Sequence, residues 1–547
     1  MDSTMMDAPL TLDPIFERAE WLFADKELVT ATATGIERTN YGRWAERTRL
    51  LGGALDDLGI SSDGRVATFA WNTDRHLELY FAAPCSGRVL HTLNIRLFAD
   101  QITYIANHAR DEVIFADRSL LPLLWPMVEE MATVRHVVVM DDSGDNSSAS
   151  GSKGTELPAD PRIVDYEELL AAASPAGFRV ADERQAASMC YTSGTTGDPK
   201  GVVYSHRSTY LHTMAAMLVD SVGVCEADVV MPVVPMFHAN AWGLSHAAVA
   251  AGAKLVNPGP NLAPKPLAEL IEAERVTLAA GVPTIWMGVL GELEGRDTSS
   301  LRAIPCGGSA VPKALSEAYR EVTGLPILQA WGMTETSPLC SVAHVRSGQQ
   351  HLDEDTQADV RATVGTVLPT VEFRICEPDT VNEIPHDGET SGELQVRGPY
   401  VTGSYYQRPD ATDSFTDDGW LRTGDVATCD PHGYIRLVDR TKDLIKSGGE
   451  WISSAEVENE IMSHPKVAEA AVVAVASQRW MERPMACIVP VEGETITHAE
   501  LIEYLAPRMA KWWLPSATQI IDEVPKTSTG KFSKKTLRDR FADLVVE

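Results

Sequence analysis

Residues 189–206 read MCYTSGTTGDPKGVVYSH, a run of hydroxyl-bearing residues and glycines between two apolar segments. Glycines let backbone N–H groups turn toward an anion, hydroxyls add donors, and a lysine adds a point charge. A flexible linker is the alternative, which the apolar flanks disfavour. The spacing differs from that of a Walker A loop. The segment therefore predicts an anion-binding loop formed by Thr192, Ser193, Gly194, Thr195, Thr196, Gly197 and Lys200.

Upstream of this segment, helix-like patterns alternate with short apolar runs. RWAERTRLLGGALDDLG (residues 43–59) predicts an amphipathic helix, and RVATFAW and DEVIFAD predict buried strands. A second alternating stretch extends from about residue 187 to residue 329. Such alternation is typical of an α/β fold with parallel strands. The polar stretch DDSGDNSSASGSKGTE, residues 141–156, predicts a surface loop.

Downstream, the pattern changes twice. Between about residues 360 and 440, TVEFRIC, GELQVRG and GYIRLVD are separated by turn signals, which predicts an antiparallel β region. After Arg440 the pattern is α+β, and Thr497 with Glu500 forms a capping box that opens a helix predicted to continue to residue 513. A chain of 547 residues exceeds what one hydrophobic core usually serves. We predict a large N-terminal domain (residues 1–440), with α/β subdomains and a β-barrel-like subdomain, and a small mobile α+β domain (residues 441–547).

Composition excludes some classes of function. Lys and Arg total 47 against 77 Asp and Glu, a formal charge of −30, and no basic region offers a nucleic-acid surface. The eight cysteines include no C-x-x-C pair, which is typical of a reducing compartment. The N-terminus has no signal-peptide pattern, and no apolar run approaches the roughly 18 residues of a membrane span. We expect a cytoplasmic protein without a transmembrane segment.

Seven motifs in order resemble those of the adenylate-forming acyl- and aryl-CoA synthetases, luciferases and peptide-synthetase adenylation domains. YTSGTTGDPKGV resembles the phosphate-loop signature of that superfamily. The other six are PMFHANAWG (235–243), CGGSA (306–310), QAWGMTETSP (329–338), WLRTGD (420–425), DRTKDLIKSGGEWIS (439–453) and PKTSTGK (525–531). The resemblance implies an acid–CoA ligase that uses ATP, Mg²⁺ and coenzyme A, and that releases AMP and diphosphate after forming an acyl-adenylate.

The resemblance also implies roles for individual residues. Lys531 would bridge the acid's carboxylate and the α-phosphate during adenylation, assisted by Thr334 and Glu335, and Glu335 and Thr195 would hold Mg²⁺. The other nucleotide-binding residues of this chain would be Gly307, Gly308, Ser309, Trp331, Gly332, Met333, Asp425 and Arg440. The acyl pocket would be lined by His238, Trp242, Gly281 and Gly307.

The second half-reaction, by the same resemblance, needs a rotation of the C-terminal domain about a hinge at Lys442. The rotation would replace Lys531 by the coenzyme A loop, which consists of Lys446, Ser447, Gly448, Gly449 and Glu450. Homodimers are common among such enzymes.

Taken singly, most of these residues have an ordinary structural explanation. Glu335 suits any first helical turn, Asp425 a β-turn, Arg440 a surface ion pair and Lys531 a solvated tail, while His238 and Trp242 suit a packed core.

Function also has alternatives: an adenylation domain that serves a carrier protein, a luciferase-like oxygenase, or a nucleotide-binding protein without turnover. The motif wording favours a medium-chain fatty acid as substrate, with 3-methylthiopropionate or another short- or long-chain acid as the alternative. Ala239-Asn240-Ala241 argues against an amino acid, since relatives that activate amino acids carry an Asp near the position of His238.

Overall fold

The computed structural model describes residues 1–142, 157–192, 198–309, 311–377, 380–447, 450–526 and 532–547. Within them, the chain divides into two compact units. The larger unit comprises Met1–Thr192, Pro199–Glu372 and Gly398–Thr412, and the smaller comprises Asp198, Phe373–Arg397 and Asp413–Glu547. Most of the predicted surface loop, residues 143–156, lies outside the described residues.

The larger unit contains three sheets. Its first strands are β1 (Glu27–Ala31), β2 (Ile36–Asn40), β3 (Arg65–Phe69), β4 (Val89–Thr92), β5 (Asp111–Asp117), β6 (His136–Met140), β7 (Ile163–Asp165), β8 (Ala186–Tyr191) and β9 (Gly201–Ser205). The later strands are β10 (Val229–Pro232), β11 (Lys254–Asn257), β12 (Leu278–Ala280), β13 (Pro305–Cys306), β14 (Leu328–Gly332), β15 (Leu339–Val342) and β16 (Thr366–Val367).

The helices of the larger unit separate these strands along the chain. They are α1 (Asp13–Leu22), α2 (Tyr41–Asp57), α3 (Asp74–Cys85), α4 (Ala99–Ala109), α5 (Leu121–Val128), α6 (Tyr166–Ala172), α7 (His206–Met217), α8 (Leu244–Ala251), α9 (Pro264–Ala273), α10 (Pro283–Leu293), α11 (Lys313–Thr323) and α12 (Glu354–Arg361).

A seven-stranded sheet carries the anion-binding segment. Its order is β7-β6-β5-β3-β4-β8-β9, and all neighbours pair in parallel except β8 and β9. The predicted strands RVATFAW and DEVIFAD are β3 and β5. Phe69, Ile114 and Val137 are fully buried in one core beside this sheet, as expected for parallel strands covered on both faces. The predicted α/β class is confirmed.

A five-stranded sheet, ordered β12-β10-β11-β1-β2, supports the segment that leads to PMFHANAWG. Its β1 and β11 pair in parallel, with Leu28 opposite Leu255. The buried side chains of Met231, Val256 and Trp286 belong to a core beside this sheet. The third sheet, β13-β14-β15-β16, contains β14, which ends at the Gly332 of WGMTET.

The smaller unit contains two sheets. Its strands are β17 (Glu372–Cys376), β18 (Gly392–Arg397), β19 (Leu421–Cys429), β20 (Ile435–Arg440), β21 (Ile445–Ser447), β22 (Glu450–Ile452), β23 (Val467–Ser477), β24 (Met481–Pro490), β25 (Ala517–Ile520) and β26 (Val545–Val546). Its helices are α13 (Ser454–Met462), α14 (His498–Leu505) and α15 (Lys534–Arg540).

The antiparallel region predicted before residue 440 is confirmed. It is a sheet in the order β17-β18-β19-β20, with antiparallel pairing of β18–β19 and β19–β20. The second sheet is built around the long β23–β24 ladder. The Thr497 side chain caps α14 by accepting the Glu500 N–H at 3.2 Å. The helix ends at Leu505 rather than at residue 513, because Pro507 has no N–H to donate to the carbonyl of Glu503.

Candidate active site

The β8–β9 hairpin brings the two ends of the anion-binding segment together. Tyr191 is paired with Gly201. The N–H of Thr192 donates to the carbonyl of Lys200 at 2.9 Å, and the N–H of Lys200 donates to Oγ1 of Thr192 at 3.2 Å. The remaining predicted residues of the loop, Ser193, Gly194, Thr195, Thr196 and Gly197, lie outside the described residues.

Strand β14 presents Thr334 and Glu335 at its carboxyl end. The strand ends at Gly332, where a Cβ atom would lie 1.7 Å from the carbonyl oxygen of Pro338, so only glycine fits. The next residues form a short turn, Thr334–Thr336, and the hydroxyl of Thr336 accepts the N–H of Met333 at 3.0 Å. Trp331, predicted to bind the nucleotide, keeps 8% of its surface exposed.

Glu335 is held by contacts from the segment Gly398–Thr412. The hydroxyl of Tyr405 donates to Oε1 of Glu335 at 2.7 Å, and the N–H of Thr402 donates to the Glu335 carbonyl at 2.8 Å. The ammonium of Lys200 lies 4.7 Å from the centroid of the Tyr405 ring. Tyr405 thus joins a predicted phosphate ligand to a predicted metal ligand. The sequence did not predict this contact, since Tyr405 lies in none of the seven motifs.

The position of Thr334 is fixed from the opposite side of the motif. The hydroxyl of the buried Tyr204, on β9, donates to the Thr334 carbonyl at 2.7 Å. Burial raises the pKa of Tyr204 well above its usual value, so the phenol stays protonated and remains a donor. This hydrogen bond joins strand β9 directly to the TET turn.

The carboxylate of Glu335 is an oxygen donor of the kind that Mg²⁺ prefers. Among the described residues there is no group of three or more His, Cys, Asp or Glu side chains placed to hold a metal ion. Mg²⁺ in nucleotide sites is commonly held by one or two carboxylates together with water and phosphate oxygens. The buried carboxylate of Glu335, oriented by Tyr405, fits that requirement. Thr195, the other predicted ligand, lies outside the described residues.

The PMFHANAWG motif forms a left-handed turn. Ala239, Asn240, Ala241 and Trp242 have φ values of 42°, 53°, 51° and 56°, and Gly243 has 74°. The left-handed region costs most non-glycine residues about 1–2 kcal/mol each. Such strain persists only where surrounding contacts fix the backbone, and it clusters at functional sites.

Asn72 anchors the chain just before this turn. Its Nδ2 donates to the carbonyls of Pro232 at 2.8 Å and Val234 at 3.0 Å, and its Oδ1 accepts the N–H of Met236 at 2.7 Å. The half-buried His238 follows, and its N–H donates to the Pro235 carbonyl at 3.0 Å. These bonds satisfy backbone N–H and carbonyl groups in an irregular segment that is largely buried.

Three of the four predicted acyl-pocket residues come together. A Cβ atom on Gly307 or Gly308 would lie 3.8 Å from the indole of Trp242, so the ring lies against these glycines. Gly281 is bridged to Cys306, the residue before Gly307, and its N–H donates to the Pro305 carbonyl at 3.1 Å. Ser309 is exposed at the end of this segment.

In the smaller unit, Asp425 and Arg440 form an ion pair. They are opposite each other on β19 and β20, and Nε of Arg440 lies 2.7 Å from Oδ1 of Asp425. The Asp425 residue is 4% exposed. The N–H of Asp425 donates to the Thr423 hydroxyl at 3.1 Å, which further restrains the backbone. Two residues predicted to bind the nucleotide are thus side by side.

The segment around Lys442 is tied to α15. Nη1 of Arg538 contacts both the Lys442 carbonyl, at 3.4 Å, and the carboxylate of Asp443. On the other side of Lys442, a carboxylate oxygen of Asp439 accepts the N–H and hydroxyl of Ser454, each at 2.6 Å. Nζ of Lys534 completes this cluster, 2.7 Å from the Ser454 hydroxyl and 2.9 Å from Oε1 of Glu458.

The predicted coenzyme A loop begins on β21. Lys446 is exposed, with its ammonium 5.2 Å from the centroid of the Trp451 ring, and its N–H donates to Glu482 at 2.8 Å. The buried hydroxyl of Ser447 accepts a hydrogen bond from Arg483 at 3.1 Å. Gly448, Gly449, the side chain of Glu450 and Lys531 lie outside the described residues.

Two known protein families match parts of this chain. Residues 16–406 match the AMP-binding enzyme family, and residues 456–531 match the AMP-binding enzyme C-terminal domain. The chain belongs to the AMP-binding enzyme family. The resemblance inferred from the seven motifs is therefore confirmed.

Relatives of this AMP-binding enzyme match it over nearly the full length. A long-chain-fatty-acid–CoA ligase of Thermus thermophilus is 46% identical over 98% of this chain and 97% of its own. A 3-methylmercaptopropionyl-CoA ligase of Ruegeria lacuscaerulensis is 43% identical over 98% of each chain. The crystal structure of ATP-bound MatB from Rhodopseudomonas palustris, 26% identical, has a TM-score of 0.82 and covers 98% of this chain and 99% of that chain.

The fold prediction is confirmed at the level of the family, an α/β enzyme with a large N-terminal part and a smaller C-terminal domain. The boundary at residue 440 and the hinge at Lys442 stay predictions. In the described part of this AMP-binding enzyme, no helix has the length and apolar character required to cross a membrane.

Proposed function

We propose that this AMP-binding enzyme is an acid–CoA ligase that converts a carboxylic acid, ATP and coenzyme A into acyl-CoA, AMP and diphosphate through an acyl-adenylate. The observation that carries the proposal is the Lys200–Tyr405–Glu335 arrangement, which holds a cation and a carboxylate on one aromatic ring. The relatives named as CoA ligases support the choice of acceptor.

Adenylation forms a bond between a carboxylate oxygen of the acid and the α-phosphorus of ATP, and breaks the bond to diphosphate. Negative charge develops on the phosphoryl oxygens, so preorganised cations and donors lower the barrier. Lys200 binds the β- and γ-phosphates, and Glu335 with Thr195 holds Mg²⁺. The ion, when bound, neutralises the leaving diphosphate. Thr334 donates its hydroxyl to the α-phosphate.

Lys531 is assigned the contact that brings the two anions together. A flexible ammonium group can reach both the acid's carboxylate and the α-phosphate. Asp425 accepts hydrogen bonds from the two ribose hydroxyls, because a carboxylate has two oxygen atoms that can act as acceptors. Arg440 orients that carboxylate through its ion pair at 2.7 Å.

The second half-reaction forms the thioester bond between the CoA sulfur and the acyl carbon and releases AMP. We assign the coenzyme A contacts to residues 446–450, and the hinge to Lys442, between domains at 1–440 and 441–547. Contacts of Asp439 and Asp443 bind the chain to α13 and α15 immediately before and after the predicted pivot, and a rotation about Lys442 would have to break those of Asp439.

The acid is proposed to be a medium-chain fatty acid that lies between His238 and the Trp242–Gly307–Gly308 surface. The apolar indole against two glycines favours an alkyl chain over a charged side chain. One relative is named for a long-chain fatty acid and another for 3-methylmercaptopropionate, so these acids define the alternatives.

We also propose a cytoplasmic location and a homodimer. All eight cysteines are free thiols, and seven of them are buried, which suits a reducing compartment. The homodimer is proposed because homodimers are common among adenylate-forming enzymes.

The decisive experiment measures acid-dependent release of diphosphate from ATP and Mg²⁺, with hydroxylamine present to trap the acyl-adenylate. Linear acids of two to sixteen carbons and 3-methylthiopropionate would be compared. We expect an acyl-hydroxamate, and AMP formation that becomes rapid when coenzyme A is added. No hydroxamate from any acid would favour a nucleotide-binding protein without turnover. A hydroxamate without transfer to coenzyme A would favour a carrier-protein acceptor.

A further inference from the structure

Asn240 is buried in the left-handed turn Ala239–Gly243 and contacts the strand that leads to the anion-binding segment. Its Nδ2 donates to the hydroxyl of Ser188 at 3.0 Å, and its Oδ1 accepts from Sγ of Cys190 at 3.4 Å. Asn240, Ser188 and Cys190 are 5%, 3% and 2% exposed, respectively. Both polar groups of one amide are therefore satisfied inside the protein by one strand.

Strand β8 is suited to receive this amide. Ser188 and Cys190 are two residues apart, so their side chains lie on the same face of the strand. The pKa of Cys190 is raised to about 11 by burial, which keeps the thiol neutral and able to donate. The strand ends at Tyr191, directly before Thr192. The amide thus connects the turn to the last residues before the anion-binding loop.

The backbone of the turn explains the choice of residue. Asn accepts left-handed backbone geometry more readily than Ala or Trp. At the end of the turn, a Cβ atom on Gly243 would lie 2.5 Å from Nδ1 of His212, so the turn fits against a histidine ring. Nε2 of that ring accepts the N–H of Leu339 at 3.0 Å, just after the TETSP segment. The turn is thus fixed at two points, Asn240 and Gly243.

We propose that Asn240 is a positioning residue that holds His238 and Trp242 at a fixed distance from strand β8 and hence from the anion-binding loop. The inference deepens the proposed function, on which it rests for the identity of the groups that Trp242 and Lys200 bind. Asn240 touches neither the acid nor ATP. It aligns the acid's alkyl chain so that the carboxylate reaches the α-phosphate.

The test compares Asn240→Gly, Asn240→Ala and Ser188→Ala. Glycine tolerates the left-handed backbone and removes only the amide, whereas alanine removes the amide and strains the backbone. We expect Asn240→Gly to raise KM for the acid about tenfold, with KM for ATP close to wild type and a smaller loss of Tm than in Asn240→Ala. Ser188→Ala should change the acid KM in the same direction, and the double variant should be no worse than Asn240→Gly alone.

Asn240→Ala should lose Tm as well, and the difference between Ala and Gly measures the backbone contribution. An unchanged acid KM in Asn240→Gly, or equal increases in both KM values, would overturn the inference. If wild type activates no acid, the proposed function fails separately. The positioning role is then tested by comparing crystal structures of wild type and Asn240→Gly. An unchanged position of Trp242 in the variant would contradict that role.

Discussion

The hydroxyl of Tyr405 donates a 2.7 Å hydrogen bond to Glu335, and the face of its ring lies 4.7 Å from the ammonium of Lys200. Lys200, Glu335 and Tyr405 come from three distant parts of the larger unit. A cation at a ring face and a carboxylate at the phenol stabilise the same side chain. Tyr405 therefore contacts both the lysine proposed to bind phosphate and the carboxylate proposed to hold the metal ion.

Replacing Tyr405 by Phe should lower the rate of adenylation about tenfold to a hundredfold, because a hydrogen bond to a charged group is worth about 1.5–3 kcal/mol. The loss should be larger at low Mg²⁺ concentration, since Glu335 is left without its orienting donor. The measurement is acid-dependent diphosphate release across a Mg²⁺ titration. The control is Tyr406→Phe, the neighbouring tyrosine, which should retain the wild-type Mg²⁺ dependence. Equal effects of both changes would contradict the role of Tyr405.

Gly332→Ala should lower the free energy of unfolding by about 3 kcal/mol, because its Cβ would lie 1.7 Å from the Pro338 carbonyl and both are backbone-fixed. The matched control is Gly291→Ala on α10, where nothing lies within 4 Å of the added atom. That change should raise stability by up to about 1 kcal/mol. Denaturant melts would measure both. A stable Gly332→Ala protein would show that the strand end has more room than the structure indicates.

His212 makes stability depend on pH. Burial lowers its pKa from 6.5 to about 3, while the unfolded chain keeps the ordinary value. The stability contributed by the neutral ring is therefore fully present above pH 6.5 and is lost as pH falls toward 3, amounting to about 3 kcal/mol between pH 6.5 and pH 4. His212→Gln, which keeps an acceptor for Leu339, should reduce the slope of stability between pH 6.5 and 4 by the contribution of one histidine. The remaining slope comes from groups such as His76, His206 and His246, because burial lowers the pKa of each to about 4. The exposed His351→Gln is the control and should leave the slope unchanged. An identical slope in His212→Gln and wild type would refute the assignment.

Lys534→Met should destabilise the protein by about 3 kcal/mol, because it leaves Glu458 unpaired. The two side chains are only 12% and 10% exposed, and their charged atoms lie 2.9 Å apart. Lys535→Ala, on the same helix but with a 56% exposed side chain, should change stability by less than about 0.5 kcal/mol. Adding Glu458→Gln to Lys534→Met should recover much of the loss in urea unfolding. No recovery would mean that packing, rather than charge pairing, governs this cluster.

Lys531→Ala should abolish formation of the acyl-adenylate yet leave thioester formation from a supplied acyl-adenylate nearly intact. Loss of one preorganised contact costs on the order of 10²–10³ in rate, and loss of a full charge more. Lys526→Ala is the control within the same PKTSTGK motif, since Lys526 pairs with Glu469 at 2.6 Å on the surface. If a folded Lys531→Ala protein lost both half-reactions equally, the assignment of Lys531 to adenylation alone would be wrong.

Local patterns predicted the elements that local forces determine. The apolar run of β3 and β5 indicated strands buried on both faces, and Thr497 marked the start of α14. The pairing of strands that are distant in the sequence could not be predicted from such local patterns. Leu28 lies opposite Leu255 in a parallel ladder, and no local periodicity identifies either partner.

The site was predicted unevenly for the same reason. Motif residues such as Glu335, Asp425 and Trp242 were named from the sequence, but Tyr405 was missed because its contact with Glu335 spans 70 residues. The left-handed turn at Asn240 was also unpredicted, since Ala-Asn-Ala-Trp has ordinary side chains and the strain is imposed by tertiary contacts.

The chain leaves the larger unit at Glu372, returns for Gly398–Thr412, and leaves it again. A single protease nick or stop codon therefore cannot divide the two units cleanly. A fragment that stops before Gly398 would lack Tyr405 and expose the Glu335 carboxylate, whereas one that runs to residue 440 would carry a sheet of the smaller unit with it. A chimera that exchanges acid specificity between relatives must therefore include residues 398–412 together with the rest of the larger unit.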